Sequence, residues 1–161
     1  MTATYTDPKT MGNEPTIYSD WNTYVRDNIQ YLKQQADTRQ IIIKTTPDEE
    51  TPTTGDDKFG ITIPALLNGY NLVAAHACAG TAGTAGTALF QIVNVTNGTS
   101  DMLTTRISID ANERTSYTAA VAPVIGTAVD NVATGDRIRF DYDAVNTAMK
   151  GVEFHLKFQP A

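Results

Sequence analysis

Apolar positions follow one period near the start of the chain and another beyond it. Over residues 16–38, Val25, Ile29, Leu32 and Ala36 recur at steps of four, three and four, which puts them on one face of a helix. Trp21, one turn before Val25, widens that face. Tyr18 is placed to staple the entry, and Ser19 or Asp20 to cap it. No Pro or Gly interrupts the run from Ser19 to Gln40. Arg26, Asp27, Gln30, Lys33, Gln34 and Asp37 fall mostly on the other sides. A helix of about 20 residues is roughly 30 Å long and marginal by itself in water. Burying Val25, Ile29 and Leu32 contributes roughly 1.5–3 kcal/mol each, so the stripe calls for a partner. Two arrangements supply one: the helix lies across its own β domain, or it joins copies of itself in a short parallel bundle. The second is favoured because the helix has little of its own chain to pack against. Its interface would be Trp21, Asn22, Val25, Asn28, Ile29, Leu32 and Ala36. Asn22 takes a core-type position there, where a polar residue fixes alignment and oligomer state at some cost in stability.

After the helix the period becomes two. Gln40 to Thr45 reads as a strand, and residues 46–57 as a Pro-punctuated acidic loop. Phe59, Ile61 and Ile63 alternate. Leu72 to Ala79 is an almost wholly apolar run of small residues, as expected of a strand covered on both faces. The repeated Thr-Ala-Gly of residues 79–87 predicts a flexible loop at one end of the sheets. Thr87 to Thr96 is the next strand, with Ala88, Phe90 and Ile92 on one face and Leu89, Val93 and Val95 on the other. Asn97-Gly98 predicts a type I′ hairpin, with a return strand from about Met102 to Ile109. Thr115 to Ala120 and Pro123 to Ile125 are weaker strands. Ile138, Phe140 and Tyr142 alternate with Arg137, Arg139 and Asp141. In the last strand Val152, Phe154, Leu156 and Phe158 face in, and Glu153, His155, Lys157 and Gln159 face out. The expected fold is mainly β: an N-terminal arm over residues 1–15 and a single helix, making a segment 1–39, followed by an antiparallel, jelly-roll-like β-sandwich over 40–161.

Composition adds weight to that reading. The 161 residues are 41% hydrophobic and only 19% charged, a texture that suits strands and tight turns. The net charge of −6 disfavours a grip on phosphate backbones, so no nucleic-acid partner is expected. The single cysteine, Cys78, rules out an intrachain disulfide and the Cys-rich metal frameworks. No apolar run is long enough for a membrane span, and residues 1–8 lack a basic n-region and an apolar h-region. The expectation is a soluble product made in a cytoplasm.

Few residues suggest chemistry. His76 and Cys78 share one strand face at i, i+2, but such neighbours point in parallel and no third partner is near in sequence. His155, between Glu153 and Lys157, reads as a solvated or inter-subunit surface. Asp141 and Asp143 share one strand face at a separation that suits a glycosidase pair, yet paired charges on an exterior face are commonplace. The acidic loop 46–57 lacks the regular oxygen spacing of a calcium loop. Asn94-Val95-Thr96 and Asn97-Gly98-Thr99 match glycosylation sequons. No enzyme activity, cofactor or metal is expected. For a glycan ligand, the candidate exposed aromatics are Tyr70 and Tyr117.

The string from Ser19 to Lys33 resembles a segment near the N-terminus of many tailed-bacteriophage virion proteins. The matching positions are Asn22, Tyr24, Val25, Arg26, Asp27, Asn28 and Leu32. From Gly69 through Gln159 the chain is also similar in texture to phage surface domains, through Asn94-Val95-Thr96-Asn97-Gly98, then Asp101-Met102-Leu103, then Ala133-Thr134-Gly135-Asp136-Arg137. The resemblance implies a structural protein of the virion: a trimeric capsid decoration or short head fibre, held by its N-terminal segment to the major capsid protein or to tail proteins. A second role it implies is a tail-fibre or baseplate protein that attaches to a host-surface glycan or protein. As a phage product it would be made in the bacterial host cytoplasm, where the sequons go unused.

Overall fold

The computed structural model describes residues 18–161, so the arm expected over residues 1–15 lies outside the described residues. The chain divides into two compact units, with the boundary between Thr38 and Arg39. The first holds the helix α1 (Tyr18–Ala36). Its last turn closes through Asp37 N–H to the Lys33 carbonyl, 2.8 Å, and the chain re-enters extended backbone at Arg39.

The second unit, Arg39–Ala161, is a β-sandwich. Its strands are β1 (Arg39–Thr46), β2 (Gly55–Thr62), β3 (Tyr70–Thr81), β4 (Ala88–Asn94), β5 (Ser100–Asp101), β6 (Leu103–Thr105), β7 (Ile107–Ile109), β8 (Val124–Ile125), β9 (Asn131–Val132), β10 (Arg137–Ala144) and β11 (Lys150–Pro160). One sheet, A, runs β1-β11-β3-β9; the other, B, runs β2-β10-β4-β5, with β7 also paired to β4. All pairings are antiparallel. The strands alternate between the two sheets in chain order, from β1 to β4 and again from β9 to β11. That wrapping is the jelly-roll arrangement.

Period-two patterning sets which side chains meet between the sheets. Phe90, Phe140 and Tyr142 from sheet B converge on Phe154 from sheet A, with ring centroids 5.3, 4.7 and 6.2 Å away. The Phe90–Phe154 pair is edge-on, a favoured geometry for rings of this charge distribution. Ile43, Leu72, Ala75, Ala77, Val152, Leu156, Ile92 and Ile138 complete the buried layer. At one edge the Tyr142 hydroxyl reaches across to the hydroxyls of Thr45 (2.6 Å) and Thr46 (3.1 Å), tying β10 to β1. Burial pushes the Tyr142 phenol above its ordinary value, and these two hydrogen bonds pull partly the other way.

Several local expectations need correction. The return strand expected over 102–109 is two short pieces, β6 and β7, preceded by β5 at 100–101, because β6 leaves sheet B to pair with β8 in a separate ribbon. The Asn97-Gly98 connection is not a two-residue turn. Val93 pairs with Asp101 and Asn94 with Ser100, leaving residues 95–99 as the loop, with positive φ at Gly98 and Thr99. β3 is buried on one face only: Leu72, Ala75, Ala77 and Ala79 point into the core. β2 starts at Gly55 inside the expected acidic loop, because Asp56 and Asp57 pair with Arg139 and Arg137 of β10. The 79–87 segment is pinned: Thr84 N–H donates to the Thr147 carbonyl, and Thr147 N–H to the Ala85 carbonyl.

Candidate functional site

Two places in the molecule present exposed side chains in a row or a cluster. The first is the helix. Val25, Ile29 and Leu32 are 37%, 59% and 62% exposed, and Asn22 and Ala36 are exposed as well. Asn28 is half-buried. The side chain of Trp21 lies outside the described residues.

The second is the outer face of sheet A. Along β11, Phe154, Leu156 and Phe158 point inward, which sends Glu153, His155 and Lys157 outward. Strand register then fixes their neighbours. His155 stands opposite Ile42 of β1 on one side and His76 of β3 on the other. Lys157 is opposite Gln40 and Ala74, and Glu153 opposite Lys44 and Cys78. The chain's two histidines, far apart in sequence, are thus cross-strand partners.

Tyr117 completes the cluster from outside the sheet. The expected strand over 115–120 is instead a tight turn beside the part of the β3 edge that β9 leaves uncovered. Ala79 N–H donates to the Arg114 carbonyl and Ser116 N–H to the Ala77 carbonyl, both about 2.8–2.9 Å. The Thr115 hydroxyl accepts from Tyr117 N–H, and the Thr118 hydroxyl donates to Glu113. These bonds hold the Tyr117 ring against the His76 imidazole, centroids 3.8 Å apart and planes 19° apart. His155 meets Tyr117 edge-on at 6.4 Å.

Each imidazole is positioned by a neighbour. The buried Ser116 hydroxyl accepts from Ala77 N–H and sits 3.2 Å from His76 Nδ1. The pairing that serves both is a hydroxyl proton donated to Nδ1, leaving Nε2 protonated in neutral His76. Burial, and after it the nearby His155, hold His76 below its ordinary value of 6.5. His155 Nε2 lies 2.8 Å from a Glu153 carboxylate oxygen. Cys78 Sγ is 3.6 Å from the Thr115 hydroxyl.

Beside these rings is a recess of about 220 Å³ lined by Gln40, Ala74, His76, Tyr117, His155 and Lys157, with Leu156. It exists because Ala74, opposite Lys157, carries nothing beyond Cβ. A larger groove, about 560 Å³, lies on sheet B beside the β6–β8 ribbon. Its polar groups are largely occupied in holding β6 and residues 120–121. Gln91 donates to the Leu103 carbonyl, Ser108 to the Val121 carbonyl, and Asp110 accepts from Ala120 N–H.

The other sequence candidates are dispersed. Tyr70 packs against the core at the start of β3. Asp141 is buried rather than exterior: it takes the Arg139 guanidinium at 2.9 Å and Asp57 N–H at 2.7 Å, while Asp143 pairs with Arg106. Among the described residues, no group of three or more His, Cys, Asp or Glu side chains is placed to hold a metal ion. Nor is any helix among them long and apolar enough to cross a membrane. Sequence reading missed the meeting of His76, His155 and Tyr117. The register of β3 on β11 creates it, and only the outward parity of His155 was visible beforehand. No family model, no curated protein and no solved structure matches this chain.

Proposed function

We propose that the chain is a non-enzymatic structural protein of a tailed-phage particle, a trimer whose N-terminal segment gathers the subunits and docks on a capsid or tail protein while the jelly roll is displayed outward. The observation that carries the reading is the exposure of Val25, Ile29 and Leu32 along one face of a helix that forms a unit separate from the sandwich. Apolar side chains in such a row are buried at low cost by the same row on a second copy. The resemblance of residues 19–33 to virion proteins supports the particle assignment. The sandwich has an ample core of its own, which suits a displayed domain.

Light scattering on the full chain tests the assembly: a mass of three chains is expected, falling to one in Ile29→Asp with the β-sheet circular dichroism retained. A monomeric parent sinks the bundle. Labelling of purified particles by an antibody to the chain tests the location, and particles that take no label sink it. A second reading, attachment to a host-surface glycan or protein, is favoured by one feature, the 59% exposure of Tyr117 at the rim of a recess it lines.

A further inference from the structure

We infer that the recess on the outer face of sheet A binds one neutral hexopyranose ring, with the apolar face of the sugar against the exposed part of Tyr117 and its hydroxyls met by Gln40, His155 and Lys157. The site gives chemical content to the attachment reading but needs neither the particle nor the trimer to exist.

Three observations converge. The Tyr117 ring is backed by His76 at 3.8 Å and held by the Thr115 and Thr118 turn, so its exposed surface is a fixed platform rather than a swinging side chain. An aromatic face carries partial negative charge and attracts the weakly positive C–H groups that line one side of a pyranose. Polar groups of complementary kinds ring the platform: Gln40 offers amide donors and an acceptor, Lys157 donors, and His155 an imidazole whose orientation Glu153 fixes at 2.8 Å. The recess is about 220 Å³, below the roughly 300–1,000 Å³ of drug-sized sites, which fits a single ring with the rest of a glycan outside.

The same residues argue against other ligands. An ionic ligand would call for several charges of one sign, whereas Lys157 is the only Lys, Arg, Asp or Glu among the lining residues. No carboxylate is among the lining residues, so the acid–base pair of glycoside hydrolysis is missing and the sugar would be held without being cleaved.

The two histidines are built-in reporters, since both flank the recess and their Hε1 resonances are resolved from the rest of a proton spectrum. The full chain would be titrated with the methyl glycosides of D-glucose, D-galactose, L-rhamnose and N-acetylglucosamine. At least one should shift both signals saturably, with a dissociation constant on the order of 1 mM. Tyr117→Ala, which removes the platform, and Ala74→Leu, which fills the recess from the outer face, should each weaken binding by about tenfold or more. Tyr117→Phe keeps the ring and should bind like the parent. If none of the four sugars shifts the signals, or the shifts survive Ala74→Leu, the inference is overturned. It is equally overturned if Tyr117→Ala changes the mass of the assembly, because the face is then a contact between copies. Failure of the trimer is read separately, from the mass of the parent, and leaves these titrations intact.

Discussion

Asn94 and Asp136, 42 residues apart in the chain, share a buried hydrogen bond, Asn94 Nδ2 to Asp136 Oδ2 at 3.0 Å. Each side chain also closes its own turn. The Asn94 carbonyl oxygen accepts from Thr96 and Asn97 N–H, both 3.1 Å, and Asp136 accepts from Ala133 N–H at 2.9 Å. The backbone follows: Val95 N–H donates to the Arg137 carbonyl, and Arg137 N–H to the Thr96 hydroxyl. The segments Asn-Val-Thr-Asn-Gly and Ala-Thr-Gly-Asp-Arg are therefore two halves of one clasp between β4 and β10. Their composition answers to folding rather than to a ligand.

Replacing Asn94 by Ala removes a donor to a buried carboxylate and two turn contacts at once. A loss of about 2–3 kcal/mol in unfolding free energy is expected from urea denaturation. Asn94→Asp should cost more at neutral pH, because two carboxylates would then face each other at hydrogen-bond distance. That excess should shrink as the pH is lowered into the carboxylate range, where one of them takes a proton. Equal losses for both variants at all pH values would contradict the clasp.

Gly83 is required by space rather than by backbone conformation. A Cβ built on it would lie 2.1 Å from Asn146 Cβ. Asn146 cannot move freely, since its Nδ2 donates to the Ile109 and Asp110 carbonyls at 3.1 and 3.3 Å. Gly83→Ala should therefore cost about 1–3 kcal/mol as overpacking, with the largest amide shifts at residues 109–112 and 146–147. Gly60→Ala is the comparison: its Cβ would meet the far end of the Arg137 side chain, which can swing away, and the loss should be smaller.

Much of this architecture is legible in the sequence, and for a physical reason. Strict alternation such as Val152, Phe154, Leu156, Phe158 leaves a strand one way to bury itself, and the structure buries those four. The helix, uninterrupted by Pro or Gly, likewise forms where its apolar spacing places it. What was not legible depends on partners distant in the chain. Thr115 to Ala120 has strand-forming residues, but Ser116 is drawn to the edge of β3 by Ala77 and the rest closes on itself as a turn. Asn131–Val132 has no apolar period and becomes β9 only by pairing with Tyr70 and Asn71. Small residues hid the asymmetry of β3, since Ala74 and Cys78 facing outward look in sequence like Ala75 and Ala77 facing inward. The recess beside Tyr117 was invisible for the same reason.

Asn22 distinguishes a bundle from a helix that is merely exposed. In a parallel bundle its amide sits in the apolar seam and lowers stability in exchange for a single register. Asn22→Ile should raise the thermal midpoint of the assembled chain while broadening its mass distribution beyond trimers in light scattering. Asn22→Ile that leaves mass and melting unchanged would show the seam is not formed there.

The His76–Tyr117 stack makes stability depend on pH in a defined direction. Burial and His155 lower the His76 pKa in the folded chain, so the unfolded chain takes up the proton first as the pH falls. The stability tied to neutral His76 is complete above the ordinary value of 6.5, declines below it, and levels off once the pH passes the lowered folded value. Glu153, His155 and Lys157 on the neighbouring strand and Glu113 beside the turn share the environment, and carboxylates elsewhere titrate too, so the parent alone does not isolate the effect. The useful quantity is the difference in unfolding free energy between parent and His76→Gln, which keeps a polar planar group but cannot gain a proton. Between about pH 7.5 and about pH 5 the parent should lose more stability than the variant. A parent and variant that lose stability in parallel across that range would mean that the imidazole under Tyr117 titrates as freely as one in water.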